Sequence, residues 1–305
     1  KSLCHSLGRP SRSDFVQFPF VGQTGRESAE KNCTEVGFTG KSKPTAWTEV
    51  KSDRYEFAGE HRRTYMKIYN VGNRVMNTYL YRIKDGYVMI DTGYENSYQK
   101  CTSSMKRQGI SWDDVKYIFL THAHDDHAGF LKEVLDKHLN ITCIISDKAF
   151  SVLAKGQNSF NGGCSSRLAL LFCYIMKIVG KGKHLFPAVN ETYANRLISI
   201  TKDNIAEIER MLSGKILFTP GHTTDSISLR VKNMIFCGDA AMNGVPSLHR
   251  ITIWIENKKE FENSWQVLLS ENVEYIYPAH GKRFKSSDLH KFKAKINKIK
   301  LYPLK

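Results

Sequence analysis

The stretch Leu120-Thr121-His122-Ala123-His124-Asp125-Asp126-His127-Ala128-Gly129 constrains this chain more than any other. Before it, residues 116–120 form a short apolar run of the kind that makes a buried strand. After it, Phe130, Leu131, Val134, Leu135 and Leu139 recur at helical spacing over residues 129–139. Three histidines and a carboxylate thus crowd a strand-to-helix junction, a density that packing alone does not explain. Imidazole and carboxylate are the donors that suit zinc, iron or manganese. His122 and His124 lie two apart, so an extended backbone points both to one side. Asp126 and His127 lie where the chain turns into the helix and can face a neighbouring position. One segment can therefore serve two metal ions.

The surrounding pattern is a mixed α/β one. Residues 77–84 and 87–91 read as strands joined at Asp85-Gly86, a hairpin turn signal. Strands are expected at 141–145, 215–219, 226–231, 234–237 and 275–277. Helices are expected at 95–108, 259–269 and 287–300, the last capped by Ser286 or Ser287. Three further candidates fall at strand ends beside glycine, which permits tight turns and close approach. They are His222 in Pro220-Gly221-His222, Asp239 in Cys237-Gly238-Asp239, and His280 in Pro278-Ala279-His280-Gly281.

These residues together resemble the metallo-β-lactamase fold superfamily. The His-x-His-x-Asp-His signature is matched by His122, His124, Asp126 and His127, and the later positions by His222, Asp239 and His280 in order. Asp91-Thr92-Gly93 resembles the end of the family's opening hairpin, whose Asp supports the metal site from behind. The resemblance covers residues 66–290 and implies an αββα four-layer sandwich with metal ions at one sheet edge. It implies that His122, His124 and His222 bind one divalent cation and Asp126, His127 and His280 a second, with Asp239 bridging. Zinc is the expected metal, with iron or manganese as alternatives. The implied reaction is hydrolysis by a metal-bridging hydroxide, with Asp126 and Asp239 as the catalytic carboxylates. A bridging Asp, absent from true zinc β-lactamases, and Phe218-Thr219-Pro220-Gly221-His222-Thr223 point to the lactonase and glyoxalase II-like branches. The expected substrate is a small molecule with an ester-like bond: lactone, ester or thioester. Thr224-Asp225-Ser226 departs from the family's usual continuation, and no glutathione-binding residues are apparent. A phosphodiesterase or nuclease, and an iron-dependent oxidoreductase of the same fold, are the alternatives. Tyr94 and Tyr193 are candidate proton donors to a leaving group. His138, His184, His249 and His290 lack ligand spacing and read as surface or packing residues.

Composition limits the rest. The chain has 305 residues, 41% apolar, with a net charge of +15. Its longest apolar run, 168–176, is half the roughly 18–20 residues of a spanning helix. Seven scattered cysteines do not form a disulfide framework; Cys101, Cys143, Cys173 and Cys237 read as reduced core residues of a cytoplasmic protein. Residues 1–65 hold no methionine and no sustained apolar periodicity. They read as a disordered extension, or as a non-native one with Met66 as the start, ahead of a catalytic domain at 66–305. Residues 148–190 interrupt the α/β alternation with six Lys or Arg and no acid. The preferred reading is a helical hairpin packed on the core, around an apolar helix at 165–179. A lid with a cationic rim, or a homodimer face, is the other. Residues 282–305 hold nine Lys or Arg and one acid, so phosphate contacts are open. Without interleaved aromatics to stack bases, a solvated face is preferred over nucleic acid.

Overall fold

The computed structural model describes residues 52–55, 66–180 and 182–304, all within one unit spanning Thr48–Lys305. One sheet has seven strands, in the spatial order β1 (Ser52–Tyr55), β2 (Met66–Asn70), β3 (Tyr79–Ile83), β4 (Gly86–Ile90), β5 (Val115–Phe119), β6 (Thr142–Ser146) and β8 (Leu197–Ile200). A two-stranded ribbon joins β7 (Gly163–Cys164) to β12 (Trp254–Ile255). The second sheet has five strands, β14 (Phe284–Lys285), β13 (Tyr275–Pro278), β11 (Met234–Gly238), β10 (Ile227–Val231) and β9 (Lys215–Phe218). The helices are α1 (Tyr98–Arg107), α2 (Leu131–Lys137), α3 (Phe150–Lys155), α4 (Arg167–Ile178), α5 (Ile205–Leu212), α6 (Lys258–Ser270) and α7 (Ser287–Ile296).

Side-chain alternation turns these strands into layers. In β4, Val88 and Ile90 face the second sheet, while Tyr87 and Met89 face α1 and α2. In β11, Met234 and Phe236 face the first sheet, while Ile235 and Cys237 join Phe261, Trp265 and Leu268 of α6. Three apolar layers result: α1 and α2 on sheet one, sheet on sheet, and α6 and α7 on sheet two. This is the expected αββα sandwich. β4 runs parallel to β5 and β11 to β13, so the loops after these strands gather at carboxyl ends, where open α/β sheets place their sites.

The structure also departs from the sequence reading. Ser52–Tyr55 pairs antiparallel with Met66–Asn70, Ser52 opposite Tyr69, inside the segment set aside as an extension. The rest of that segment lies outside the described residues. β8 and α5 have no counterpart in the sequence pattern as read. α7 ends at Ile296 rather than 300, because the chain then turns and pairs Tyr302 with Cys164. Ser286 occupies the N-cap position as expected, but its hydroxyl donates to the Val273 carbonyl and makes no side-chain cap bond. The packed helical hairpin holds only for its first half. α3 buries Leu153, but α4 buries Ala169 alone. Both outer sheet faces are already covered, so none is left to receive it. Cys101, Cys143 and Cys237 are buried free thiols as expected, and Cys173 is a half-buried one. Among the described residues no helix is long and apolar enough to cross a membrane.

Candidate metal centre

The seven expected residues come together from four loops. His122, His124, Asp126 and His127 follow β5; His222 follows β9, Asp239 follows β11, and His280 follows β13. Local sequence makes this possible. Gly221 adopts a positive φ of 126°, and a Cβ there would run into the Phe261 backbone of α6. At Gly281, φ is 85° and a Cβ would meet the Asn243 carbonyl. Only glycine lets the chain turn so tightly beside His222 and His280.

Donor atoms of three groups lie within 4.8 Å of one another: His122, His124 and His222; His122, His127 and Asp239; and Asp126, His127 and His280. In the first, the His222 Nε2 is 3.1 Å from His122 Nε2 and 3.2 Å from His124 Nδ1. Three nitrogens bound tetrahedrally at zinc–imidazole distance would sit about 3.3 Å apart, so this triad already has the spacing a cation requires. In the last, His280 Nε2 is 3.0 Å from Asp126 Oδ2. Asp239 lies between them, with Oδ2 3.7 Å from both His222 Nε2 and His280 Nε2. The Nε2 atoms of His124 and His127 and the Oδ1 of Asp239 are buried without any hydrogen-bond partner. Orphaned polar atoms of this kind are costly, and those of His127 and Asp239, which belong to the ligand triads, are what a cation would satisfy.

Outer contacts aim the rings. His222 Nδ1 donates to the Trp254 carbonyl at 2.8 Å and His280 Nδ1 to the Val75 carbonyl at 2.8 Å. His127 Nδ1 donates to Asp91 Oδ2 at 2.9 Å. In each ring this turns Nε2 inward, the orientation metal-ligating histidines take. Asp91 also accepts from the Thr121 amide at 2.7 Å and the Thr121 hydroxyl at 2.8 Å, so it braces the whole ligand loop, as its motif implied. Asp225, in the stretch that departs from the family pattern, accepts from the Ala123 amide at 2.8 Å. It fixes the backbone between His122 and His124.

Burial and close neighbours shift the protonation of these groups in opposite directions. Burial and the neighbouring imidazoles hold His122 and His124 far below the usual histidine range. Burial also opposes charge on His127, but Asp91, Asp126 and Asp239 outweigh it and hold the ring up at about 9. At His280, Asp239 and Asp126 overcome burial and raise it to about 10. Asp126 is buried, yet His127, His280 and His124 keep its carboxyl well below the ordinary range.

Tyr94 stands at the rim, its phenol kept protonated by burial and by Asp126, Asp125 and Asp239. Tyr193 is excluded from the site, because its hydroxyl bonds Asp136 on α2. His138 packs as expected, stacked on Trp112 and bonded to the Tyr98 hydroxyl. His184 is closer to the centre than its spacing suggested, with Nδ1 3.2 Å from Asp125 Oδ1. Asn158 and Asp125 bond reciprocally, at 2.8 Å each way. Val75 and Trp254 act through backbone carbonyls, which carry no side-chain signal in a sequence. Asp225 had a visible signal, a carboxylate three residues after a ligand.

A family model, the metallo-beta-lactamase superfamily, matches residues 71–280. A probable metallo-hydrolase of Methanocaldococcus jannaschii is 25% identical over 199 residues, covering 64% of this chain and 82% of that protein. A hydroxyacylglutathione hydrolase of Buchnera aphidicola is 26% identical over 172 residues, 53% of this chain and 50% of that protein. Among solved structures, a metallo-beta-lactamase of Cronobacter sakazakii aligns with a TM-score of 0.54 at 17% identity, covering 76% of this chain and 89% of that one. At that identity the likeness is one of fold.

Proposed function

The chain belongs to the metallo-beta-lactamase superfamily, and we propose that it is a dinuclear hydrolase of ester-like bonds in small molecules: lactones, esters or thioesters. Metal-dependent hydrolysis follows from the family and its metallo-hydrolase relatives. The observation that carries the finer reading is the pairing of two ligand triads with Asp239 between them. His122, His124 and His222 would hold one ion, Asp126, His127 and His280 the other, and Asp239 would touch both. Zinc suits these donors, as do iron and manganese. Bound there, the ions supply Lewis acidity toward the substrate oxygen and lower the pKa of water toward neutrality.

The protein's own groups do the rest. Asp91, Val75 and Trp254 hold three imidazoles in the tautomer that presents Nε2 inward. Asp126, kept anionic, orients the attacking water. Tyr94, kept neutral, donates a hydrogen bond to the oxygen that gains charge or departs. The acyl bond in the name of the hydroxyacylglutathione hydrolase relative belongs to the class proposed here.

Metal analysis of the purified chain, with a panel of lactone, thioester, β-lactam and bis-nitrophenyl phosphate, tests this. Two ions per chain and turnover of lactone or thioester are expected, with turnover and metal content lost together in folded Asp239→Ala. Turnover confined to the phosphodiester would overturn the ester reading, and activity surviving removal of the metal would overturn the mechanism.

A further inference from the structure

α4 presents an apolar face to solvent. Leu168, Leu171, Phe172, Ile175, Ile178 and Val179 follow helical spacing along one stripe, and all are exposed, Leu171 at 57% and Ile178 at 82%. The stripe runs the length of a helix about 18 Å long. Contiguous exposed apolar surface of this size marks an interaction site rather than ordinary surface variation. The helix lies in residues 148–190, which carry six Lys or Arg and no acid.

A second basic segment meets it. Tyr302 exchanges backbone hydrogen bonds with Cys164, 2.8 and 2.9 Å, directly before α4. The junction encloses a groove of about 350 Å³ whose lining includes Ser165, Ser166, Arg167, Lys295, Lys298 and Lys300 and no carboxylate. Residues 282–305 hold nine Lys or Arg, and their one acid, Asp288, is paired with Arg250 at 2.7 Å. These two segments account for nearly all of the +15.

We propose that α4 and the C-terminal tail form a docking surface for an anionic lipid bilayer. The aliphatic stripe would sit at the headgroup–acyl boundary while the groove and tail receive lipid phosphates, the arrangement of an interfacial helix. Charge complementarity selects this occupant. A second copy docked by two-fold symmetry would set each patch against itself, cation on cation with no acid in 148–190 to neutralise it. A nucleic acid would satisfy the lysines but not a stripe that is aliphatic at every position except Phe172.

The surface is tied to the metal centre. Asn158 and His184, on either side of α4, hold Asp125. β7, just before α4, pairs with β12, whose Trp254 carbonyl holds His222. Docking would therefore act on segments that border the centre, and on the hydrolase reading the substrates would be amphiphiles that partition into the bilayer surface.

The test is co-sedimentation of the full chain with vesicles of phosphatidylcholine alone and of phosphatidylcholine with phosphatidylserine. Binding should require phosphatidylserine and weaken with salt. Ile175→Asp, at an exposed position, should cost about tenfold or more in affinity with an unchanged melting temperature. Lys298→Ala and Lys300→Ala should each cost about fivefold. No phosphatidylserine-dependent binding, or binding that Ile175→Asp leaves intact, overturns the proposal. So does a vesicle-free dimer abolished by Ile175→Asp, or duplex DNA binding with no vesicle binding. None of these readouts uses turnover, so failure here leaves the hydrolase reading standing.

Discussion

α4 and α6 are helices of nearly equal length with opposite fates. α6 is the more polar, yet it buries Phe261, Ser264, Trp265, Leu268 and Leu269, one stripe laid on the second sheet. α4 is apolar around most of its circumference and buries only Ala169. Apolar content alone therefore does not decide burial; a stripe in register with an uncovered sheet face does. α6 also supports the candidate centre, since Trp265 Nε1 donates to the Ala240 carbonyl at 2.8 Å beside Asp239. α4 is linked to the centre by the segments that flank it, through Asn158 and His184 on Asp125.

The largest test of this contrast is Trp265→Ala, which should cost about 3–5 kcal/mol of stability in chemical denaturation, from lost burial and a residual cavity. It should also lower metal content by loosening the Asp239 loop. A smaller effect is expected from Asp91→Asn, which keeps the shape but removes the charge facing His127. Metal affinity should fall by about 10–100-fold in a chelator competition, and an unchanged affinity would remove Asp91 from the support of the centre.

A third test uses pH. In the metal-free protein His127 and His280 are raised to about 9 and about 10. Their stabilising contribution is complete below the unfolded value of 6.5 and is lost as pH rises through 9 and 10. His122 and His124 shift the other way and cost stability as pH falls below 6.5. On the proposed dinuclear reading, bound metal would replace the protons on His127 and His280. The melting-temperature gap between metal-loaded and stripped protein should therefore widen from neutral pH to about pH 10. A constant gap would show that these two rings do not bind metal, and α4 substitutions should leave the profile unmoved. The smallest effect is expected from Ile175→Ala, within about 0.5 kcal/mol in the same denaturation assay. A cost near that of Trp265→Ala would place α4 in the core and end the comparison.

Much of the centre was legible because its parts sit in short, dense signals. His122 to His127 are contiguous, and His222, Asp239 and His280 each follow an apolar run and touch a glycine or its turn. Short apolar runs showed the strands for the same reason, since both faces of β4 and β11 are buried and the runs are flanked by turn residues. The braces were not legible. Val75 and His280 are 205 residues apart, and a carbonyl has no side chain to betray its role. The exposure of α4 was also hidden, because local periodicity says which residues share a face but not whether anything covers it.

The sequence by itself determined the fold family, the donor types and the uneven distribution of charge, all properties that local chemistry encodes. Only the tertiary structure decided which ring nitrogens face inward, which backbone carbonyls brace them, and that α4 meets solvent beside a cationic groove. Those outcomes depend on which distant segments occupy the same space. Distances between residues far apart in the chain are set by the packing of the layers, which no single stretch of sequence contains.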